Sequence, residues 1–145
     1  MKTLITLIST AVLTFLSSMI LANTKAEPIK FLKAESIIDH YIDATTNGET
    51  SLLKYLFTED FKFSSPNNSN KDQVTRSTYI KHLKGTKGLK LDVTTSYTFV
   101  EKNNDCSIVR VESKFEKFSK YEYVTLCNTN EGWKIRNIVA TYPEK

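Results

Sequence analysis

The sequence predicts an α+β fold: a cone-shaped half-barrel in which a strongly curved antiparallel sheet wraps around helices from the N-terminal half. Three observations lead there. Helical periodicity is confined to the stretch before residue 86. From residue 89 onward apolar and polar side chains alternate, as half-buried strands require. The alternating runs are separated by short turns, which join antiparallel neighbours and leave the helices to cover one face of the sheet.

The opening run, "MKTLITLISTAVLTFLSSMILA", has one early lysine, an apolar and hydroxyl stretch, and a small residue at its end. That is the pattern of a secretory signal peptide, with cleavage expected after Ala22 and Ala26 as the alternative. A retained anchor competes, because the run approaches the roughly 20 residues that span a bilayer. Its Thr and Ser residues and weak flanking charge favour removal. No cysteine follows it for lipid attachment, so the mature chain is expected to be secreted or periplasmic, with no stable membrane anchor. Residues 23–33 then form a linker, and 34–145 a single domain. Removing Lys2 from the 20 basic residues leaves a mild excess over the 16 acidic ones, which points to no nucleic-acid partner.

Residues 34–46, "AESIIDHYIDATT", place Ala34, Ile37, Ile38, Tyr41, Ile42 and Thr45 within about 140° of arc, with Asp39 and Asp43 opposite. Asn47-Gly48 supplies a left-handed helix end. A shorter helix from about Thr50 carries Leu52, Leu53, Leu56 and Phe57 on one face. The period then switches to alternation, Phe61 and Phe63 against Lys62 and Ser64, which is a short strand. Residues 66–73, "PNNSNKDQ", contain no apolar side chain and read as an exposed loop with a glycosylation sequon at Asn67. Ser77 is the expected N-cap of a third helix that turns Tyr79, Ile80 and Leu83 inward and stops at Gly85.

Four strands complete the chain. Leu89, Leu91, Val93, Thr95, Tyr97 and Phe99 alternate with polar residues, "KNND" turns, residues 106–115 and 121–128 form a hairpin, and "TNEG" leads into "WKIRNIVATY". Cys106 opens one strand of that hairpin and Cys127 closes the other. A register pairing them also pairs Val109 with Val124, so a disulfide is expected in an exported chain, against two free thiols on the convex face. In the last strand Trp133 and Ile135 share one face and Ile138 and Ala140 the other, a two-sided pattern common in central or interface strands.

The stretches "YIDATTNGETSLLKYLFTEDFKF" and "YEYVTLCNTNEGWKIRNIV" resemble the nuclear transport factor 2-like superfamily of cone-shaped, cystatin-like folds. The SnoaL-like or lumazine-binding branch of small exported bacterial members looks closest. The likeness runs from about Ala34 to Tyr142 and its motifs are structural. It implies a fold, and, since relatives often dimerise through the convex sheet, a homodimer. It implies no reaction, because the superfamily spans ketosteroid isomerases, scytalone dehydratase, polyketide cyclases, epoxide hydrolases and members that only bind or scaffold.

Isomerase-like members carry a catalytic aspartate before a proline at the end of the first strand. The matching position here is Ser65, before Pro66, and a serine is no base without an activating partner. Tyr41 matches their first-helix tyrosine, and reads either as a core residue or as a ligand-contacting donor. Glu59 and Asp60 fall at a helix-to-strand joint, where carboxylates usually meet backbone amides or solvent. His40 and His82 lie outside their helices' apolar faces, and the sequence has no metal-ligand spacing, so neither a metal nor a cofactor is expected. Lys81, Lys84, Lys87 and Lys90 with His82 read as a solvated rim, or as a site for an anionic partner.

The reading that results is an exported, non-enzymatic module whose cone holds a small apolar or aromatic ligand, lined by Tyr41, Phe57, Phe63, Leu83, Tyr97 and Trp133, with Ser65 and Thr95 supplying hydroxyls. The rivals are an isomerase, cyclase or dehydratase using Tyr41 and a carboxylate such as Glu112 or Glu122, and a dimeric scaffold with a filled core. A buried carboxylate within hydrogen-bond reach of the Tyr41 hydroxyl would overturn the binding reading in favour of catalysis, and a cone packed solid would leave the scaffold.

Overall fold

Residues 107, 109, 111 and 113 of one strand, and 122, 124 and 126 of the next, all turn to one side and are buried. This period of two builds the inner face of the sheet. The computed structural model describes residues 28–65 and 73–143. The signal-peptide reading of Met1–Ala22 and the loop 66–72 with its sequon lie outside those residues. In chain order the elements are α1 (Ala34–Thr46), α2 (Leu53–Leu56), β1 (Phe57–Ser64), β2 (Val74–Thr75), α3 (Arg76–Gly85), β3 (Thr94–Lys102), β4 (Cys106–Lys114), β5 (Ser119–Thr129) and β6 (Gly132–Thr141). The six strands form one sheet in the order β2-β1-β6-β5-β4-β3.

The hairpin register is the one the cysteine spacing predicts: Cys106 faces Cys127 and Val109 faces Val124, and the two sulfurs are bonded. β1 runs parallel to β6, a pairing that the logic of short turns does not reach because the two strands are far apart in sequence. Register breaks at Phe99/Glu101 and at Thr125/Leu126 each insert an extra residue, bending and twisting the sheet into its cone. The second break revises the two-sided reading of β6. Ile135 pairs with Leu126 and Asn137 with Thr125, so Arg136 is the extra residue. Ile135, Ile138 and Ala140 are thereby all fully buried on the core side, and the pattern that suggested an interface is one face interrupted by a bulge.

α1 buries Ala34, Ile37, Ile38, Tyr41 and Ala44 against the sheet. α2 is only one turn long, because Phe57, expected to end it, is the first residue of β1. Thr75 rather than Ser77 occupies the N-cap position of α3, with no side-chain bond to the helix amides, and Tyr79, Ile80 and Leu83 turn inward as their spacing dictates. Residues 89–93 are the other departure, since they alternate but are not a strand. Their backbone groups are taken up elsewhere: the Leu91 amide donates to Thr46 O at 2.8 Å and the Leu89 amide to Thr86 O at 2.9 Å. Held against the end of α1, this segment leaves Leu89 and Leu91 exposed.

Two glycines fix close approaches. Gly48 follows α1 with φ +65, and its carbonyl accepts the Gly88 amide at 3.0 Å. Gly132 opens β6 at φ +95, and a Cβ there would stand 2.3 Å from the carbonyl oxygen of Lys30. That contact holds the N-terminal segment so that Ile29 is buried in the core. Gly132→Ala is therefore expected to destabilise the fold by more than the roughly 1–2 kcal/mol of a left-handed backbone alone, because the clash adds to it. Urea unfolding of the two proteins checks this, and equal midpoints and slopes would contradict it.

Candidate functional site

The period of two along β5 carries two charged side chains inward with Val124 and Leu126: Glu122 and, nearer the open end, Lys120. Glu122 is buried, at 2% exposure. An ionised carboxylate in that position is tolerated only if its oxygens are met by donors. Both are met. The Tyr41 hydroxyl, on the buried face of α1, lies 3.0 Å from Glu122 Oε1, and Lys120 Nζ lies 3.1 Å from Oε2. The Tyr79 hydroxyl on α3 is 3.0 Å from that of Tyr41.

Proton counting orients this chain. Tyr41 has a single hydroxyl proton and spends it on Glu122, so the proton shared by the two tyrosines belongs to Tyr79. Tyr79 donates to Tyr41, Tyr41 donates to Glu122, and Lys120 donates to the other carboxylate oxygen. Burial, and next the Glu122 charge, push the Tyr41 hydroxyl well above the ordinary tyrosine range. The same two causes push Tyr79 up as well. Both tyrosines stay protonated as donors.

Glu122 and Lys120 form part of the wall of a cavity of about 260 Å³ at the open end of the cone, completed by Phe63, Tyr79, Leu83 and Leu91, with His82 and Tyr142 at its side. A second hollow of about 430 Å³ adjoins it, sharing Phe63, Tyr79, His82 and Tyr142 and adding Ser65, Val74 and Thr78. The aromatic wall is ordered: Phe63 stacks on Tyr79 with centroids 5.0 Å apart and planes 19° from parallel, and Phe61 and Phe57 pack behind.

Of the residues expected to line one pocket, Phe63 and Leu83 line this cavity and Ser65 the adjoining hollow. Tyr41 and Phe57 are fully buried beneath the wall, with their rings edge to face at 6.4 Å. Thr95 and Tyr97 stand on β3 at the far edge of the sheet. Trp133 is at a separate hollow beside Lys33 and Lys102. The cavity as built therefore does not gather these eight residues: twist and taper separate side chains that alternation alone places on one face. Glu112, on the opposite face to Val111, accepts from Tyr121 at 3.2 Å and pairs with Lys114. Glu59 and Asp60 are exposed and pair with Arg76 and Arg136. His82 is exposed, and His40 is half-buried rather than at the surface. Among the described residues no group of three or more His, Cys, Asp or Glu converges as a metal site would require.

Lys120, Tyr79, His82 and Tyr142 are cavity residues that the sequence reading passed over. Glu122 shares the parity of Val124 and Leu126, which is a signal available in the sequence for both Glu122 and Lys120.

A family model described as "Putative lumazine-binding" matches residues 30–141. No curated protein matches the chain. Solved structures share its fold. A nuclear transport factor 2-like protein of unknown function from Silicibacter pomeroyi superposes with a TM-score of 0.63 at 16% identity, covering 75% of this chain and 92% of that one. A nuclear transport factor 2-like protein from Cytophaga hutchinsonii gives 0.60 at 18% identity, with 75% and 94% covered. A ketosteroid isomerase-like protein from Erwinia carotovora atroseptica gives 0.58 at 12% identity, with 77% and 94% covered. Likenesses at this identity establish the fold and carry no activity with them.

The buried tyrosines make stability depend on alkaline pH. A hydroxyl whose pKa is higher in the folded than in the unfolded state supports folding fully below about pH 10, and that support is lost as pH rises above it. Above pH 10 the unfolding free energy should fall by up to about 1.4 kcal/mol per pH unit for each such tyrosine. Urea titrations between pH 9 and 12 are expected to show a shallower fall for the Tyr41→Phe, Tyr79→Phe double variant. Identical pH slopes would contradict the buried-donor account.

Proposed function

Because this chain belongs to the family described as "Putative lumazine-binding" and has the nuclear transport factor 2-like fold, we propose that its open-end cavity binds a small planar molecule whose edge presents an N–H donor beside a carbonyl acceptor. The observation that carries this is the juxtaposition of Glu122 and Lys120 in the cavity wall, 3.1 Å apart. A carboxylate accepts and an ammonium donates, so the pair complements a lactam or imide edge. The stacked Phe63 and Tyr79 rings offer the flat apolar face that a heterocycle needs. Lumazine, a fused-ring dione, has both features. Export of the chain to the secreted or periplasmic space is part of the same reading and rests on the N-terminal sequence pattern alone.

A second reading, proton-transfer catalysis of the isomerase or dehydratase kind, is favoured by one observation: a buried carboxylate does lie within hydrogen-bond reach of Tyr41. The proton count shapes what that contact can do. Tyr41's proton is already committed to Glu122, so Tyr41 is not a free donor for a substrate oxygen. Catalysis here would use Glu122 as the base and Lys120 to polarise a carbonyl. Ser65 stands at the position where isomerase-like relatives carry their base, so the roles would be redistributed.

Calorimetric titration with lumazine and with 1,3-dimethyllumazine, which lacks the edge N–H groups, tests the binding reading. Lumazine should bind and the dimethyl compound should not. Glu122→Gln, which keeps the shape, should weaken binding by roughly 10- to 100-fold, as for other hydrogen bonds to a charged group. No binding of lumazine, or equal binding to the wild type and the glutamine variant, overturns it. Exchange of a carbon-bound proton adjacent to the carbonyl of a ketone ligand into deuterium oxide, present in the wild type and absent in Glu122→Gln, would establish the catalytic reading instead.

A further inference from the structure

The cavity mouth is surrounded by lysines and by apolar side chains left uncovered by the rest of the described chain. Leu89 is 53% exposed and Leu91 39%, in the segment between α3 and β3 that forms no strand. Leu91 also lines the cavity, so this segment is its lip. On the other side Tyr142, another cavity residue, meets Phe118 at 6.2 Å between centroids. Phe118 is 47% exposed and stacks on Phe115 in the turn between β4 and β5.

Lysines accompany both groups. Lys81, Lys84, Lys87 and Lys90 are exposed along the end of α3 and the lip, and Lys117 lies in the β4–β5 turn between the two phenylalanines. Among the described residues the ammonium groups of Lys81, Lys84, Lys90 and Lys117 make no ion pair. Lys87 interacts electrostatically with Glu49. Asp92 and Glu116 are the acids interspersed, so the charge of the rim is net positive.

We propose that this rim seats the protein on an anionic lipid surface, with Leu89, Leu91 and Phe118 entering the interface, the lysines meeting lipid phosphates, and the cavity mouth facing the bilayer. Exposed aliphatic and aromatic side chains beside unpaired lysines form the combination that holds proteins in the interfacial plane, through buried apolar area together with attraction to anionic headgroups. The lysine run has neither arginine nor interleaved aromatics, so it lacks the stacking platform of a nucleic-acid surface. No helix among the described residues is long and apolar enough to cross a membrane, and the contact proposed is the one the rim itself makes. The proposal rests on the rim alone and stands whatever ligand the cavity takes.

A site-specific reporter tests it in the full chain, independently of how the N-terminal segment behaves. In a Trp133→Phe background, so that the added indole is the one that emits, Leu89→Trp is mixed with phosphatidylglycerol vesicles carrying brominated acyl chains, and Ile108→Trp on the convex face serves as control. Emission from Trp at 89 should shift to the blue and be quenched, emission from 108 should not, and neutral phosphatidylcholine should produce neither effect. Each lysine near an anionic surface contributes about five-fold in affinity, so Lys84→Gln, Lys87→Gln and Lys90→Gln together should weaken the vesicle-dependent signal roughly a hundred-fold. No change at 89, equal quenching at 108, or indifference to the lysine substitutions would overturn the proposal. Saturable binding of polyglutamate that displaces the vesicles without any blue shift would overturn it in favour of an acidic protein partner.

Discussion

A carboxylate buried in the middle of the sheet must be satisfied or the fold does not hold, and in this protein the donor that satisfies it comes from a different layer. Tyr41 reaches from α1 to Glu122 on β5, and Tyr79 reaches from α3 to Tyr41. The polar chain therefore joins both long helices to one strand. Apolar packing alone would let a helix slide or roll on the sheet at little cost, whereas a hydrogen bond to a charged group has one geometry. The register of α1 against the cone, and with it the placement of Ile37, Ile38 and Ala44, follows from that bond. Leaving Glu122 in place without its donors would strand a buried charge, which typically costs about 3–5 kcal/mol.

The sheet supplies the complementary constraint. Its bulges near Val100 and Arg136 bend it so that the inner face closes around the helices at one end and opens at the other. At the narrow end Ile29 fills the core, with Gly132 allowing the Lys30 carbonyl to approach. At the wide end Phe63, Tyr79, Leu83 and Leu91 line a cavity rather than a filled core. The polar end of the Tyr79–Tyr41–Glu122–Lys120 chain comes to the surface there, which makes one arrangement both a structural joint and the wall of a cavity.

Much of this was legible in the chain. Period and turn chemistry placed α1, α3, β4, β5 and β6 within a few residues, and the valine pairing located the disulfide register. What was not legible has specific causes. The β1–β6 pair is a long-range parallel contact with no local signal. Residues 89–93 alternate like a strand, but their amides are claimed by carbonyls from the end of α1 and the end of α3. The two apolar sets on β6 were assigned to opposite faces because a single bulge residue, Arg136, reverses parity midway. In the site, Glu122 could have been placed inward from its parity with Val124 and Leu126. A charged residue on a core face reads as an exception until its partners are known, and Tyr41, 81 positions earlier, is invisible to any local pattern. Phe57 and Trp133 show the opposite limit: periodicity, helical for one and alternating for the other, tells which face a residue occupies and says nothing about its depth along a tapering cone.

Tyr41 and Glu122 act as one unit joining helix to sheet. A double-mutant cycle with Tyr41→Phe and Glu122→Leu, whose side chain offers no acceptor, read by denaturant unfolding at neutral pH, measures it directly. The two single losses should fail to add, with a coupling of about 1.5–3 kcal/mol, the range for a hydrogen bond to a charged group. Losses that add to within a few tenths of a kcal/mol would contradict it.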